Sequence, residues 1–284
     1  MQDIEEMRKK LGFTNDFIFC TVMEENPDLC KRLVEEITGR PVEKIKIIQQ
    51  QRTIRNYISS RDVRLDVYFE DDENTVYNVE MQATRRNDIK KRARYYQGKI
   101  DSKNTPRNGF FRDMKNTYII FICTFDPIGK GLPVYTVKNH VVEDNNVEYE
   151  DGATKIFVNA SKHCRPELLE KTSLDVQALI SYCSRKEATS DLMRDIDSKV
   201  VKTLEDDKKV VQAMTFGQEL EIQYNVGYDD GNKAGIKAGI VDGRNKKSIE
   251  DVDAFVSRYN IPLEEACETV GITIEDYNRI KEKN

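Results

Sequence analysis

The sequence has few of the residues on which much catalytic and metal chemistry relies. His140 and His163 are its only histidines, so a His-dependent triad or a His-rich zinc site would have to use one of them. His163-Cys164 has no second ligand pair at a useful spacing. Cys20, Cys30, Cys123, Cys164, Cys183 and Cys267 are scattered without a Cys-x-x-Cys pair, the pattern of free buried thiols in a cytoplasmic chain. No apolar run reaches 18 residues, which argues against a membrane-spanning helix. The N-terminus, Met1-Gln2-Asp3-Ile4-Glu5-Glu6, is acidic where a signal peptide would be basic and then apolar. A cytoplasmic protein with no membrane partner is the expectation. Asp126-Pro127-Ile128-Gly129-Lys130-Gly131 lacks P-loop spacing and reads as a turn.

What the chain does have is charge and length. Charged residues make up 33% and hydrophobic residues 38% of 284 residues, a polar but globular composition with room for one large domain or two smaller ones. The most informative stretch is Val63 to Gln82. Val63, Leu65, Val67 and Phe69 alternate with polar residues, as do Val79 and Met81 after Asp71-Asp72-Glu73-Asn74. This is the period of two of a half-buried hairpin with a polar turn. A three-residue loop, Asp72 to Asn74, sets Asp66 opposite Glu80, with Gln82 two residues on along the same side. Opposed like charges destabilise a strand pair, and a divalent cation is the simplest group that would offset them.

The net charge of −5 argues against a nucleic-acid partner, but its distribution argues the other way. Arg85, Arg86, Lys90, Lys91, Arg92, Arg94 and Lys99 stand against Asp88 alone, and the run starts three residues after Gln82. A positive strip beside a carboxylate pair suits a metal-dependent phosphodiesterase: one part grips the phosphate backbone, the other holds the ion.

An Asp on one strand followed, after a turn, by Glu-x-Lys on the next resembles the signature of the PD-(D/E)XK nuclease superfamily. Here the second part is Glu80-Met81-Gln82, with Gln in place of Lys. Thr14 to Phe17, Arg64 to Val67, Asn78 to Gln82, Lys91 to Gln97 and Phe121 to Pro127 together resemble the narrower Rpn family of recombination-promoting nucleases and transposases, in which Glu-x-Gln occurs. The likeness covers residues 10–160. It implies a mixed sheet flanked by helices, Mg²⁺ or Mn²⁺ as cofactor, DNA as partner, and an association with recombination or mobile elements.

On this reading the ion is held by Asp66, Glu80, the Met81 carbonyl and waters, since hard cations prefer oxygen ligands. Asp16, in the first helix, is a third acid by the same likeness, or simply a first-turn acid favoured by the helix dipole. Gln82 cannot carry charge and can only orient a water or phosphate. Arg92, within a matching motif, is the first candidate for the positive role. Arg85, Arg86, Lys90, Lys91 and Arg94 are expected to bind nucleic acid, and Tyr95 or Tyr96 to stack on bases while the other packs inward. For each of these the duller alternative is a solvated hairpin or a solvated basic helix face.

Along the chain, residues 13–25 read as a helix capped by Thr14 or Asn15, and Asn26-Pro27 starts a second that Gly39 stops. A strand over residues 45–54, the hairpin, a helix over 87–101 and a buried central strand over 117–123 follow. Segments 133–137 and 156–158 read as added strands. Pro166 starts a helix running through Leu168, Leu169, Leu174, Leu179 and Ile180, and a charged helix covers residues 191–221. Gly227, Gly231, Gly235, Gly239 and Gly243 then recur every four residues. Five interior glycines cost roughly 5 kcal/mol relative to alanine, so this stretch is either a flexible linker or a helix packed closely against another copy of the chain. Ser248 begins a last helical unit with a Gly271 turn, either a packing module or a helix-turn-helix reader.

The expected organisation is thus a nuclease-like α/β core (1–162), a helical extension (163–225), the glycine repeat (226–245) and a small helical module (246–284). The expected function is divalent-metal-dependent endonucleolytic hydrolysis of DNA. The alternative is a catalytically degenerate protein of the same fold that binds nucleic acid or self-associates.

Overall fold

The computed structural model describes residues 4–45, 47–54, 63–85, 87–105, 108–144, 146–147 and 149–282. Residues 1–216 and 217–284 form two compact units. The first is built on a six-stranded sheet in the order β1-β2-β3-β4-β6-β5: β1 (Ile47–Ile54), β2 (Val63–Glu70), β3 (Val76–Gln82), β4 (Thr117–Cys123), β5 (Val134–Val137) and β6 (Ala153–Asn159). The pairs β1–β2, β2–β3 and β5–β6 are antiparallel, while β3–β4 and β4–β6 are parallel. A parallel pair needs a crossover, and helix α4 (Ile89–Asn104) supplies it between β3 and β4.

Two layers cover the sheet. Val67, Phe69, Tyr77, Val79, Met81, Ile120 and Ile122 pack with α2 (Asp16–Glu25), α3 (Pro27–Thr38), α6 (Leu174–Arg185) and α7 (Asp191–Glu205). Tyr68, Val76, Ile119 and Phe121 pack with Ile89, Ala93 and Ile100 of α4. β4 is almost wholly buried, as its apolar sequence requires of a strand covered on both faces. The expected order of helix, three strands, helix, strand holds, and β5 and β6 are the added strands.

Local signals explain the elements at the site. Asn15, and not Thr14, caps α2: its side chain accepts from the Ile18 N–H at 3.1 Å, so the helix begins at Asp16. Gly39 ends α3 at φ 66°, a left-handed position that suits glycine. Asp71 is fully buried and closes the hairpin: its carboxylate accepts from the Thr75 N–H at 2.8 Å and the Tyr77 hydroxyl at 3.1 Å. Asn74 takes φ 58°, the left-handed last residue of a three-residue hairpin loop. This loop length fixes the β2–β3 register.

The C-terminal half departs from the sequence reading. The helix from Pro166 is interrupted: α5 (Pro166–Leu169) stops, and the Ser173 hydroxyl restarts the chain as α6 by accepting from the Val176 N–H at 3.2 Å. The charged helix ends at Glu205, with Asp206 extended at the break. α8 (Asp207–Tyr259) then passes without a stop through the glycine repeat and through Ser248, which begins no helix. In the second unit α9 (Leu263–Val270) and α10 (Ile274–Lys281) flank Gly271 at φ 80°. Val252, Ala266, Cys267 and Tyr277 form its small core. Among the described residues, no helix is long and apolar enough to cross a membrane.

Candidate metal and phosphate site

The site grows out of the place where the central hairpin opens. The β2–β3 ladder runs from Glu70 opposite Val76 to Val67 opposite Val79. The next pair in that register is Asp66 with Glu80, and there side chains take over from the backbone. The Asp66 N–H donates to Glu80 Oε1 at 3.1 Å, and the Met81 N–H donates to Asp66 Oδ2 at 3.0 Å. Each acid thus caps the backbone beside the other, and the two carboxylates are held at one spot. The simple alternation read for β2 slips here: Leu65 packs with the α4-side cluster, while Val67 and Phe69 pack with the opposite one. The strands part at Asp66, which frees the chain from the regular pleat.

Electrostatics at this spot are unfavourable to two bare charges. Burial, then the Glu80 charge and the Asp16 charge, raise the Asp66 pKa well above the ordinary carboxylate range, against the Met81 N–H and Arg92. Burial also raises Glu80, opposed by Arg92, by the Asp66 N–H and by Asn78. Desolvation penalises the charged form of any acid, and a like charge nearby adds to it. The geometry therefore collects negative charge that a bound cation would stabilise.

Arg92 is the described cation in direct contact. Its Nη2 lies 3.3 Å from Glu80 Oε2, and its guanidinium sits 5.0 Å from the Phe121 ring centroid and 5.3 Å from that of Tyr96. Stacking of this kind fixes a planar guanidinium where an ammonium would wander. α4 follows β3 after a six-residue connection, and the end of its first turn brings Arg92 to the Glu80 carboxylate. Asn78, two residues before Glu80 on the same side of β3, donates from Nδ2 to Glu80 Oε1 at 3.0 Å. Its own Oδ1 is buried without a hydrogen-bond partner. Sequence reasoning gave Asn78 no separate role. The available signal was a third polar residue in the alternation Asn78, Glu80, Gln82 on a strand that is buried throughout.

The other expected residues divide clearly. Asp16 enters from α2 and acts on Asp66 through its charge, while its own Oδ1 accepts from the Phe17 N–H at 2.9 Å. Among the described residues, no group of three His, Cys, Asp or Glu side chains is gathered closely enough to hold a metal ion; the two carboxylates bonded to each other's backbone here are Asp66 and Glu80. Gln82 is buried and donates from Nε2 to the Thr84 carbonyl at 2.8 Å. One donor is committed there, which leaves its second N–H and its amide oxygen. Met81 buries its side chain in the core. Its N–H points to Asp66, and a residue's carbonyl lies on the same strand edge as its N–H.

Arg85, Lys90, Lys91 and Arg94 are exposed, whereas Lys99 is buried and lies 5.3 Å from the Tyr95 ring centroid. Lys99 therefore does not extend the exposed basic strip, because α4 turns it toward the protein. Arg86 lies outside the described residues. Tyr95 is exposed and Tyr96 packs against the α4-side core, the division that adjacent helical positions require.

Two sequence features are absorbed by structure. The Asp126 carboxylate accepts from the N–H groups of Ile128, Gly129 and Gly131 and from the Tyr135 hydroxyl. The loop thus supplies its own anion, as befits a turn. Burial pushes the thiols of Cys30, Cys123 and Cys183 up to about 12, which rules out nucleophilic thiolates at neutral pH.

A family model described as "PD-(D/E)XK nuclease family transposase" matches residues 13–225. No curated protein and no solved structure matches the chain.

Proposed function

We propose that this chain, which belongs to the PD-(D/E)XK nuclease transposase family, is a divalent-metal-dependent nuclease that hydrolyses DNA phosphodiester bonds at the Asp66–Glu80 site. The observation that carries the reading is the reciprocal capping of two buried acids at the end of the β2–β3 ladder. No folding advantage comes from burying two like charges together, and such groups cluster where function demands them.

The donor set fits a hard cation. Asp66 and Glu80 offer carboxylate oxygens, the Met81 carbonyl lies on the Asp66 edge, and Asp16 adds negative charge from α2. Mg²⁺ and Mn²⁺ favour such oxygen ligands and keep several waters. When bound, the ion supplies Lewis-acid polarisation of a phosphate and a more acidic bound water. The remaining work falls to the chain. Arg92 neutralises phosphate charge from a guanidinium already fixed over two rings, the role that a Lys has in the superfamily signature. Gln82 orients a water or a phosphate oxygen through its free amide atoms. Arg85, Lys90, Lys91 and Arg94 contact the phosphate backbone, which positions a duplex without reading its sequence, and Tyr95 offers a ring for stacking. The family description favours a role in recombination or at mobile elements.

Two results are expected. Supercoiled plasmid should relax in the presence of Mg²⁺ and remain intact with EDTA. Replacing Lys90, Lys91 and Arg94 by Glu should weaken binding of unrelated DNA sequences alike, and should lower the slope of log K against log salt by about 0.9 for each phosphate that is no longer neutralised. A retained slope would remove α4 from the DNA surface. Plasmid left intact by wild-type protein with Mg²⁺ or Mn²⁺, but still bound, would favour the catalytically degenerate binder.

A further inference from the structure

The end of the sheet remote from Asp66 and Glu80 presents a second surface. The segment after α4 and the β5–β6 connection leave the sheet there side by side. The Val76 N–H donates to the Asn116 carbonyl at 2.8 Å, and the Thr117 N–H donates to the Gly152 carbonyl at 2.8 Å. A side chain at Gly152 would collide with Asn116. Phe110, Phe111 and Met114 are exposed on the first segment, and Val142, Val147 and Tyr149 on the second. Phe111 is 84% exposed and Val142 79%. Scattered exposed apolar residues need no explanation, but six large ones on two adjoining loops mark an interaction surface.

Charge tells what covers it. In the described part of residues 103–116, Lys103 and Arg112 stand against Asp113 alone, Lys115 being paired with Glu70 at 2.5 Å. In the described part of 138–152, Glu143, Asp144, Glu150 and Asp151 stand against Lys138. The acidic loop would repel a nucleic acid reaching for the basic one. The Arg112 guanidinium, although 3.8 Å from Asp113, is largely exposed and lies 4.6 Å from the Phe110 ring centroid. A cation over an aromatic ring at the surface is a common interface anchor. An apolar patch with one basic and one acidic half is complementary to itself after a two-fold rotation, and two-fold pairing is the commonest form of homo-oligomer.

We propose that this chain dimerises through these two loops, the basic aromatic loop of each copy seated on the acidic aliphatic loop of the other. This pairing is independent of the nuclease reading and of the glycine repeat.

Sedimentation equilibrium of the full chain tests it. The wild-type mass should rise with concentration toward that of two chains. Phe111→Asp should raise the dimer dissociation constant at least tenfold, with a thermal midpoint equal to that of wild type at concentrations where both are monomeric, showing that the fold persists. Arg112→Glu alone, and Glu143→Lys with Glu150→Lys alone, should each remain monomeric at concentrations where wild type pairs. Mixing these two variants should restore a two-chain species, because each then meets an opposite charge at both contacts. A wild-type chain monomeric at every concentration, a mass unaffected by the variants, or a mixture that fails to pair would each overturn the proposal. Loss of DNA binding in Phe111→Asp with no change in mass would instead assign the surface to nucleic acid.

Discussion

Asp66→Asn and Glu80→Gln should each slow Mg²⁺-dependent DNA cleavage by about 10³-fold or more, and Asp66→Asn should raise the thermal midpoint of the metal-free protein. The first effect follows from loss of a ligand to an ion whose stabilisation of the reacting phosphate is worth several kcal/mol. The second follows from the electrostatics of the metal-free site. Asp66→Asn removes one of two buried acids that repel each other, and its amide keeps an acceptor oxygen for the Met81 N–H; Glu80→Gln also strips Arg92 of its partner and gives no such gain. The pH dependence has a definite sign. Both acids are held above their unfolded values, so the folded state keeps its protons longer. The stability this lends is complete below the ordinary carboxylate range, about pH 4, and is lost as pH rises through the raised values. Wild-type protein without divalent ions should therefore lose stability over that window, and Asp66→Asn should lose less. Cleavage activity kept by either variant, or unfolding of Asp66→Asn at a lower temperature than wild type without metal, would contradict this account of the pair. Stability given up at an active site for the sake of function is a general pattern.

Arg92→Ala should act in the opposite direction on stability. The Glu80 side chain is only 2% exposed and that of Arg92 19%. Losing one partner of a wholly buried pair costs about 3–5 kcal/mol. Because Arg92 keeps some contact with water and Glu80 can take up a proton, about 2–3 kcal/mol is the expected loss at neutral pH, less at acidic pH. Chemical denaturation of Arg92→Ala, Glu80→Gln and the double variant forms a cycle. The cost of removing Arg92 should shrink once Glu80 is neutral. An equal cost in both backgrounds would show that Arg92 contributes only its packing over Phe121 and Tyr96. Arg92→Lys should rescue part of the stability but little of the stacking geometry, since an ammonium lacks the planar fork.

The hairpin was readable because its signals are local and agree with one another. The alternation of Val67 and Phe69, the polar turn and the loop length all specify one register, and the structure places Asp66 next to Glu80 accordingly. β4 was readable from its unbroken apolar run. Arg92 was readable as the first candidate among several cations through the motif it sits in, but its stacking was not, because that depends on Phe121 of a distant strand. Asn78 was hidden for the same reason: its value lies in a hydrogen bond to Glu80 and in burial that α4 imposes. Lys99 shows the limit of counting charge along a chain, since helical rotation turns it inward and leaves Lys90, Lys91 and Arg94 outside. The helix breaks at Glu170 and Asp206 carry no proline or glycine at the break, so periodicity alone ran through them. The continuity of α8 was open in the sequence, since five glycines at a spacing of four fit either a linker or a helix, and the backbone stays helical.

Titration of metal-free protein with Mn²⁺ by calorimetry tests the shared-ion claim without depending on turnover. Wild type should bind one ion per chain in competition with Mg²⁺, and Asp66→Asn and Glu80→Gln should each abolish that binding while remaining folded. Unchanged stoichiometry and affinity in both variants would contradict it.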